Sequence, residues 1–157
     1  MQKITPFLTF VFEAEAAMNF YLGIFRDAKM ISIHRYGKNT PMPEGTVMTA
    51  SFELFGQRFV ALNAGPMFQF TPAVSFLVEC ETQEEVDHYW DKLSEGGTQM
   101  PCAWLTDKFG VTWQIAPKQL LQLMNDPDPA KVGRVMQAMM KMKKIIISDI
   151  ERAANAA

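Results

Sequence analysis

Few residues in this 157-residue chain are of types that do chemistry, and their spacing narrows what they can do together. Cys80 and Cys102 stand 22 residues apart with no Cys-x-x-Cys pairing, which supports neither a thiolate zinc site nor a disulfide framework. His34 falls in a predicted strand and His88 in a predicted helix; each lacks a spaced partner and reads as a structural or surface residue rather than a ligand. No Gly-x-Ser-x-Gly, His-Glu-x-x-His or P-loop occurs. Glu84 and Glu85 suit the first turn of a helix, where the dipole favours acids, and Glu53, a conceivable base, sits beside a tight turn that favours the surface. Cys102, two residues from Trp104, is a candidate nucleophile or redox thiol, but no basic residue closely precedes it to lower its pKa, so a small packing residue is the plainer reading.

Composition narrows the classes further. With 48% hydrophobic and 20% charged residues, and 15 basic against 17 acidic side chains for a net charge of -2, the chain is neither a disordered tail nor a nucleic-acid binder. Its length suits a single domain or two small halves that share a core. The longest uncharged stretch, residues 59–78, contains Asn63, Gly65, Pro66, Gln69 and Pro72, and reads as strand, loop and strand rather than a membrane span. Pro6 within the first apolar segment and Glu13 and Glu15 just after it argue against a signal peptide. The expectation is a soluble protein of the reducing cytoplasm, with no membrane and no nucleic acid among its partners.

The elements that must position these residues follow from periodicity. Residues 4–12 read as a buried strand, and residues 14–25 as a helix with Ala17, Phe20, Tyr21 and Ile24 on one stripe. A strand at 29–36, a loop at 37–45, and a hairpin of 46–55 and 57–63 about Gly56 complete a β-α-β-β-β order. The second half repeats it. Residues 72–80 form a strand; Thr82-x-x-Glu85 is a capping box opening a helix with Val86, Tyr89, Trp90 and Leu93 buried and Gly96-Gly97 as its stop; strands follow at 99–105, alternatively split in two, and at 111–116. An offset of 69 residues aligns Phe7 with Phe76, Ala17 with Val86 and Tyr21 with Trp90, a weak internal repeat. Two such modules curling toward each other would leave a cleft for a small molecule.

Beyond Pro117 the chain turns helical. Leu120, Leu121 and Met124 mark a short segment, Asp126-Pro-Asp-Pro129 breaks it, and a methionine-rich helix starts near Ala130 with Lys141, Lys143 and Lys144 at its end. Ser148-x-x-Glu151 is expected to cap a last helix. The methionine-rich face suits either an adaptable dimer interface or an irregular core; of the two, the interface, and with it a homodimer, is the expectation.

Specific runs carry a resemblance: Ile4-Thr-Pro-Phe-Leu8 with Phe20-Tyr21, Ala61-Leu-Asn-Ala-Gly-Pro66, Ser75-Phe76, Glu84-Glu-Val-Asp-His-Tyr-Trp90, Cys102-Ala-Trp-Leu-Thr-Asp-Lys-Phe-Gly110 and Trp113-Gln-Ile115. On these the chain resembles the PhnB-like branch of the vicinal oxygen chelate superfamily, which includes glyoxalases, extradiol dioxygenases and fosfomycin-resistance proteins. The resemblance implies an α+β, glyoxalase-like fold: module one over about 1–66, module two over about 70–117, and a helical tail over about 118–157, within one domain. It also implies a divalent metal held by four inward side chains, from the first and last strand of each module. Here those windows hold Pro6, Phe7 and Leu8; Phe59, Val60 and Ala61; residues 72–74; and Gln114 where metal-binding relatives carry Glu. One neutral amide cannot replace three or four donors, so no metal and no other cofactor is expected.

Family members are often labelled demethylubiquinone methyltransferases, yet no glycine-rich βα loop with a following acid is present to hold a nucleoside cofactor, and Gly96-Gly97 follows a helix instead. Strand alternation separates Thr112 and Gln114 from Val111, Trp113 and Ile115, and aims Gln114 into the cleft. Asn63, at the end of the corresponding strand of module one and flanked by Ala61, Leu62 and Ala64, has no evident packing role; a turn residue before Gly65-Pro66 is the alternative. Trp104 could stack on a flat or apolar ligand, with a core tryptophan as the alternative reading. The expected ligand-binding set is therefore Asn63, Cys102, Trp104 and Gln114, with no catalytic residue assigned. The expected function is metal-independent small-molecule binding or catalysis; the alternatives are a metal-dependent lyase or dioxygenase-like enzyme and a methyltransferase.

Overall fold

A computed structural model describes residues 1–156 and divides the chain into two compact units, Met1–Gln69 and the chain from Phe70 onward. The class is α+β, with a four-stranded mixed sheet in each unit.

The first unit comprises β1 (Phe7–Phe10), α1 (Ala14–Ile24), β2 (Ala28–Arg35), β3 (Val47–Leu54) and β4 (Gln57–Asn63), in sheet order β1-β4-β3-β2. β1 runs parallel to β4, from Phe7 opposite Val60 to Phe10 opposite Asn63; the other pairs are antiparallel. β1 is shorter than its apolar run because Pro6 has no N–H to donate, although its carbonyl still accepts from Val60 N. α1 buries Ala14, Ala17, Met18, Tyr21 and Ile24. Met18 rather than Phe20 completes the stripe. Tyr21 stacks on Phe52, which stacks on Phe59 with centroids 5.6 Å apart, so the helix is seated on the β3–β4 hairpin by aromatic contacts.

The second unit comprises β5 (Phe76–Cys80), α2 (Gln83–Ser94), β6 (Thr98–Gln99), β7 (Trp104–Thr106) and β8 (Thr112–Pro117), in order β5-β8-β7-β6, followed by α3 (Lys118–Met124), α4 (Pro129–Met140) and α5 (Ile147–Asn155). The strand predicted over 99–105 is split, because Cys102 and Ala103 have positive φ and turn the chain between β6 and β7. β5 starts at Phe76 rather than Pro72, where its parallel pairing with Trp113 begins. Thr82 caps α2 by accepting from Glu85 N, and Glu85 returns a carboxylate to Glu81 N at 2.7 Å, a capping box displaced by one residue. Val86, Tyr89, Trp90 and Leu93 are buried with Val78, Cys80, Leu105, Trp113 and Ile115, the apolar face of this sheet.

Gly97 sits where a side chain has no room: a Cβ there would lie 2.0 Å from the Thr106 carbonyl oxygen and 2.9 Å from Asp107 Cα. Because those atoms are backbone, Gly97→Ala must displace β6 from β7, and a loss of about 2 kcal/mol is expected in urea unfolding.

The tail helices belong to the second unit. Val135, Ile145, Ile150 and Ala154 are buried with Leu120 and with Ala103 from the sheet segment. Asp128 caps α4 by accepting from Ala130 N, with Pro129 in the first helical position. The expected Ser148 cap is not formed. α5 begins at Ile147, so Ser148 lies inside the helix, and the Ile147 N–H instead donates to Gln83 Oε1 of α2. No helix among the described residues is long and apolar enough to cross a membrane.

Candidate functional site

The side chains of the second sheet divide by alternation. Trp113, Ile115 and Leu105 lie on the α2 face; Thr112, Gln114, Trp104, Leu77 and Glu79 lie on the opposite face. Gln114 on β8 is directly opposite Leu77 on β5 and Trp104 on β7, so these three form one row across the sheet. Gln114 and Trp104 are half-buried and Leu77 is 47% exposed, so the row presents a polar amide between two apolar walls. The amide is oriented: Gln114 Nε2 donates to Ser75 Oγ at 2.9 Å, which leaves its carbonyl oxygen as the acceptor for a partner.

Thr112, two residues before Gln114 on the same face, is 1% exposed, and its hydroxyl has no hydrogen-bond partner among the described residues. Ser75, which orients the Gln114 amide, and Thr112, beside it on the same face, are residues sequence reasoning did not put forward as candidates. Ser75 was visible only inside a motif, and Thr112 only by its alternation with Gln114.

The predicted set is partly brought together. Trp104 and Gln114 are cross-strand partners, and Cys102 lies two residues before Trp104. Asn63 belongs to the first unit, where it is 1% exposed and both ends of its side-chain amide are engaged. Its Oδ1 accepts from Ala14 N, the first N–H of α1, at 3.0 Å, and its Nδ2 donates to the Val47 carbonyl at 3.0 Å. Glu13, at the helix N-cap, supplies no side-chain cap, so the amide of β4 does so across the chain. Tyr36 Oη also donates to the Asn63 carbonyl.

The other candidates resolve in physical terms. Glu53 pairs with Lys29 at 3.1 Å across β2 and β3. His34 is exposed on β2, and the His88 ring lies edge-on to Tyr89. Cys102 and Cys80 are free thiols. Burial pushes the Cys80 thiol up to about 12, with Glu85 and Glu79 adding to the shift. Because the folded state disfavours the thiolate, this thiol's contribution to stability is intact below its ordinary value of 9.0 and is lost as pH rises from there toward about 12. Unfolding followed between pH 8 and 11 should therefore show stability falling above about 9, with a shallower slope in Cys80→Ala. At pH 8 a thiol reagent should label Cys102 well before Cys80.

Asp107 organises the β7–β8 turn and was not singled out by its sequence context. Its carboxylate, in a residue 3% exposed, accepts from Phe109 N at 2.9 Å, Val111 N at 3.0 Å and Trp113 Nε1 at 3.0 Å. Asp at the first position of a turn that closes on Gly110, whose φ is +90°, is the one available signal.

Comparison with known proteins follows this geometry. The family model described as 3-demethylubiquinone-9 3-methyltransferase matches residues 2–116. A Bacillus cereus structure described as a 3-demethylubiquinone-9 3-methyltransferase, PhnB protein, is 44% identical over 74% of this chain and 99% of that one, with a TM-score of 0.68. A Pseudomonas aeruginosa protein matches in fold at 20% identity and a TM-score of 0.63, covering 74% of this chain and 98% of its own. The fosfomycin resistance protein FosX from Mesorhizobium loti does so at 13% identity and 0.50, covering 74% and 92%. No curated protein matches. The family match ends at residue 116, before the first tail helix. The chain belongs to the PhnB-like family that carries the 3-demethylubiquinone-9 3-methyltransferase description, and its fold is the glyoxalase-like one seen in FosX.

Proposed function

We propose that this protein binds a small, neutral oxygenated or aromatic molecule, as a binding protein or enzyme of the vicinal oxygen chelate type, and does so without a metal ion. The observation that carries this reading is the Leu77–Gln114–Trp104 row: an oriented amide held by Ser75, flanked by an aromatic and an aliphatic wall. The row itself offers hydrogen bonding and stacking and has no charged side chain; the charge on the same face is Glu79, two residues along β5 from Leu77.

The donor chemistry is a poor fit to the divalent ion associated with this fold. Phe7, Leu8, Phe59, Val60 and Ala61 have no side-chain donor, and Gln114 is a neutral amide already bonded to Ser75. Among the described residues, no three His, Cys, Asp or Glu side chains come together as a metal-holding group. The family's description names methyl transfer, and the lack of a glycine-rich phosphate-binding loop in the sequence weighs against a nucleoside-bearing methyl donor.

Thermal shift of the chelator-treated protein against divalent metals, S-adenosylmethionine and a panel of neutral oxygenated and aromatic metabolites tests the reading. An organic compound that stabilises the chain in chelator, with the effect reduced in Gln114→Ala, is the expected result. Stabilisation by a metal alone, lost in Gln114→Ala, or by S-adenosylmethionine alone would overturn it. Free Cys80 and Cys102 suit a reducing compartment, and exposed Met136 and Met140 on α4 suit pairing of two copies; sedimentation should then give about twice 17.8 kDa.

A further inference from the structure

The tail is hydrogen-bonded to the chain at the residues next to Trp104. Residues 142–147 run between α4 and α5, and their backbone bonds to the two residues that precede β7: Cys102 N donates to Met142 O at 2.9 Å, and Ala103 N to Lys143 O at 3.0 Å. Cys102 and Ala103 are consecutive non-glycine residues in the left-handed region, with φ of +63° and +73°, a conformation that persists only where its surroundings impose it. On its other side Ala103 O accepts from Ile115 N at 2.9 Å, beside Gln114, and Trp104 follows directly as the cross-strand partner of Gln114.

The same segment is fastened to α2 at three residues, Lys144, Ile145 and Ile147. Lys144 Nζ meets Asp91 at 2.9 Å and Asp87 at 3.3 Å, one helical turn apart on α2. Gln83 then holds the backbone with both ends of its amide: Nε2 donates to Ile145 O at 3.0 Å and Oε1 accepts from Ile147 N at 2.8 Å. Between them, Ile145 is fully buried in the cluster that contains Ala103. The segment itself lies beyond residue 116, where the family match ends, yet it bonds to Cys102 and Ala103, which lie inside the match.

We propose that residues 142–147 act as a strap that holds Cys102 and Ala103 in their left-handed conformation and so positions the Trp104 wall against Gln114. Gln83 and Lys144 are positioning residues in this device; neither touches the ligand. The inference rests on the reading of the Trp104–Gln114 row as the binding surface, but its first test does not require a ligand.

Amide exchange and fluorine NMR of the full chain labelled with 5-fluorotryptophan provide that test, with Trp104→Phe assigning the Trp104 signal. In Gln83→Ala and, more mildly, Lys144→Ala, the Cys102 and Ala103 amides should exchange about tenfold faster or more, since the bond accepting each has been loosened. The Trp104 signal should shift or broaden while those of the buried Trp90 and Trp113 stay in place, and Lys144→Arg should restore the parent spectrum. Unchanged exchange and an unmoved Trp104 signal in both variants would overturn the strap. Equal movement of all three tryptophan signals in both variants would also overturn it, because the tail would then support the unit as a whole rather than this segment. An organic compound found by thermal shift should bind Gln83→Ala more weakly by about tenfold; failure to find any compound bears on the binding surface, whereas the exchange and fluorine results bear on the strap.

Discussion

Asp107→Ala should lower the stability of the protein by about 4 kcal/mol, because it strands two buried donors and one half-buried donor at once. The carboxylate is the acceptor for Phe109 N, Val111 N and Trp113 Nε1, and a methyl group replaces none of these bonds. Hydrogen bonds to an ionised group are the stronger kind, and the site is too closed for water to substitute freely. Asp107→Asn should cost less, about 2 kcal/mol, since one amide oxygen still accepts while the amide nitrogen faces a donor. Urea unfolding followed by tryptophan fluorescence reads both. A loss below about 1 kcal/mol for the alanine variant would mean that the turn is held by its backbone bonds alone, Gly110 N to Asp107 O and Asp107 N to Val111 O.

Asn63→Ala is the second large effect, a loss of about 3 kcal/mol with no loss of ligand affinity. The amide satisfies the first N–H of α1 and the Val47 carbonyl from a position almost sealed from solvent, so removal leaves both without their partner. Asn63→Asp should be no rescue, because a carboxylate cannot donate to Val47 O. The two readouts separate this structural role from a binding role: unfolding should change and compound affinity should not. A variant of parent stability that binds compounds tenfold more weakly would return Asn63 to the binding surface.

Periodicity made most of the architecture legible. The α2 stripe of Val86, Tyr89, Trp90 and Leu93 and its Thr82 cap follow from helical spacing, and the second β-α-β-β-β order follows from the turn residues between strands. Interactions between distant segments were not legible. Nothing near Asn63 signals a helix start 49 positions away, and nothing near Ser148 signals that Gln83 would take over its capping role. The left-handed turn at Cys102 and Ala103 was hidden for a related reason: neither residue type favours positive φ, and the carbonyls that sustain it come from the tail. For the site, alternation alone placed Gln114 and Thr112 on one face and apart from Trp113, whereas the Trp104–Gln114 pairing required the register of β7 against β8.

These observations separate scaffold from surface. Asp107 and Asn63 spend their side-chain polar atoms on backbone and on Trp113, and substitutions there report on folding. In the proposed reading, Gln114, oriented by Ser75, and Trp104, its cross-strand partner, form the surface that meets a ligand.

The most direct test of a metal-free binding surface is side-chain NMR of the chelator-treated protein titrated with neutral oxygenated and aromatic compounds. The account predicts that binders perturb the Gln114 amide and the Trp104 indole N–H together, that Gln114→Leu weakens binding by about tenfold or more while leaving the fold intact, and that a divalent metal changes neither result. Binders that perturb neither group, or that do so only once a divalent metal is supplied, would contradict it.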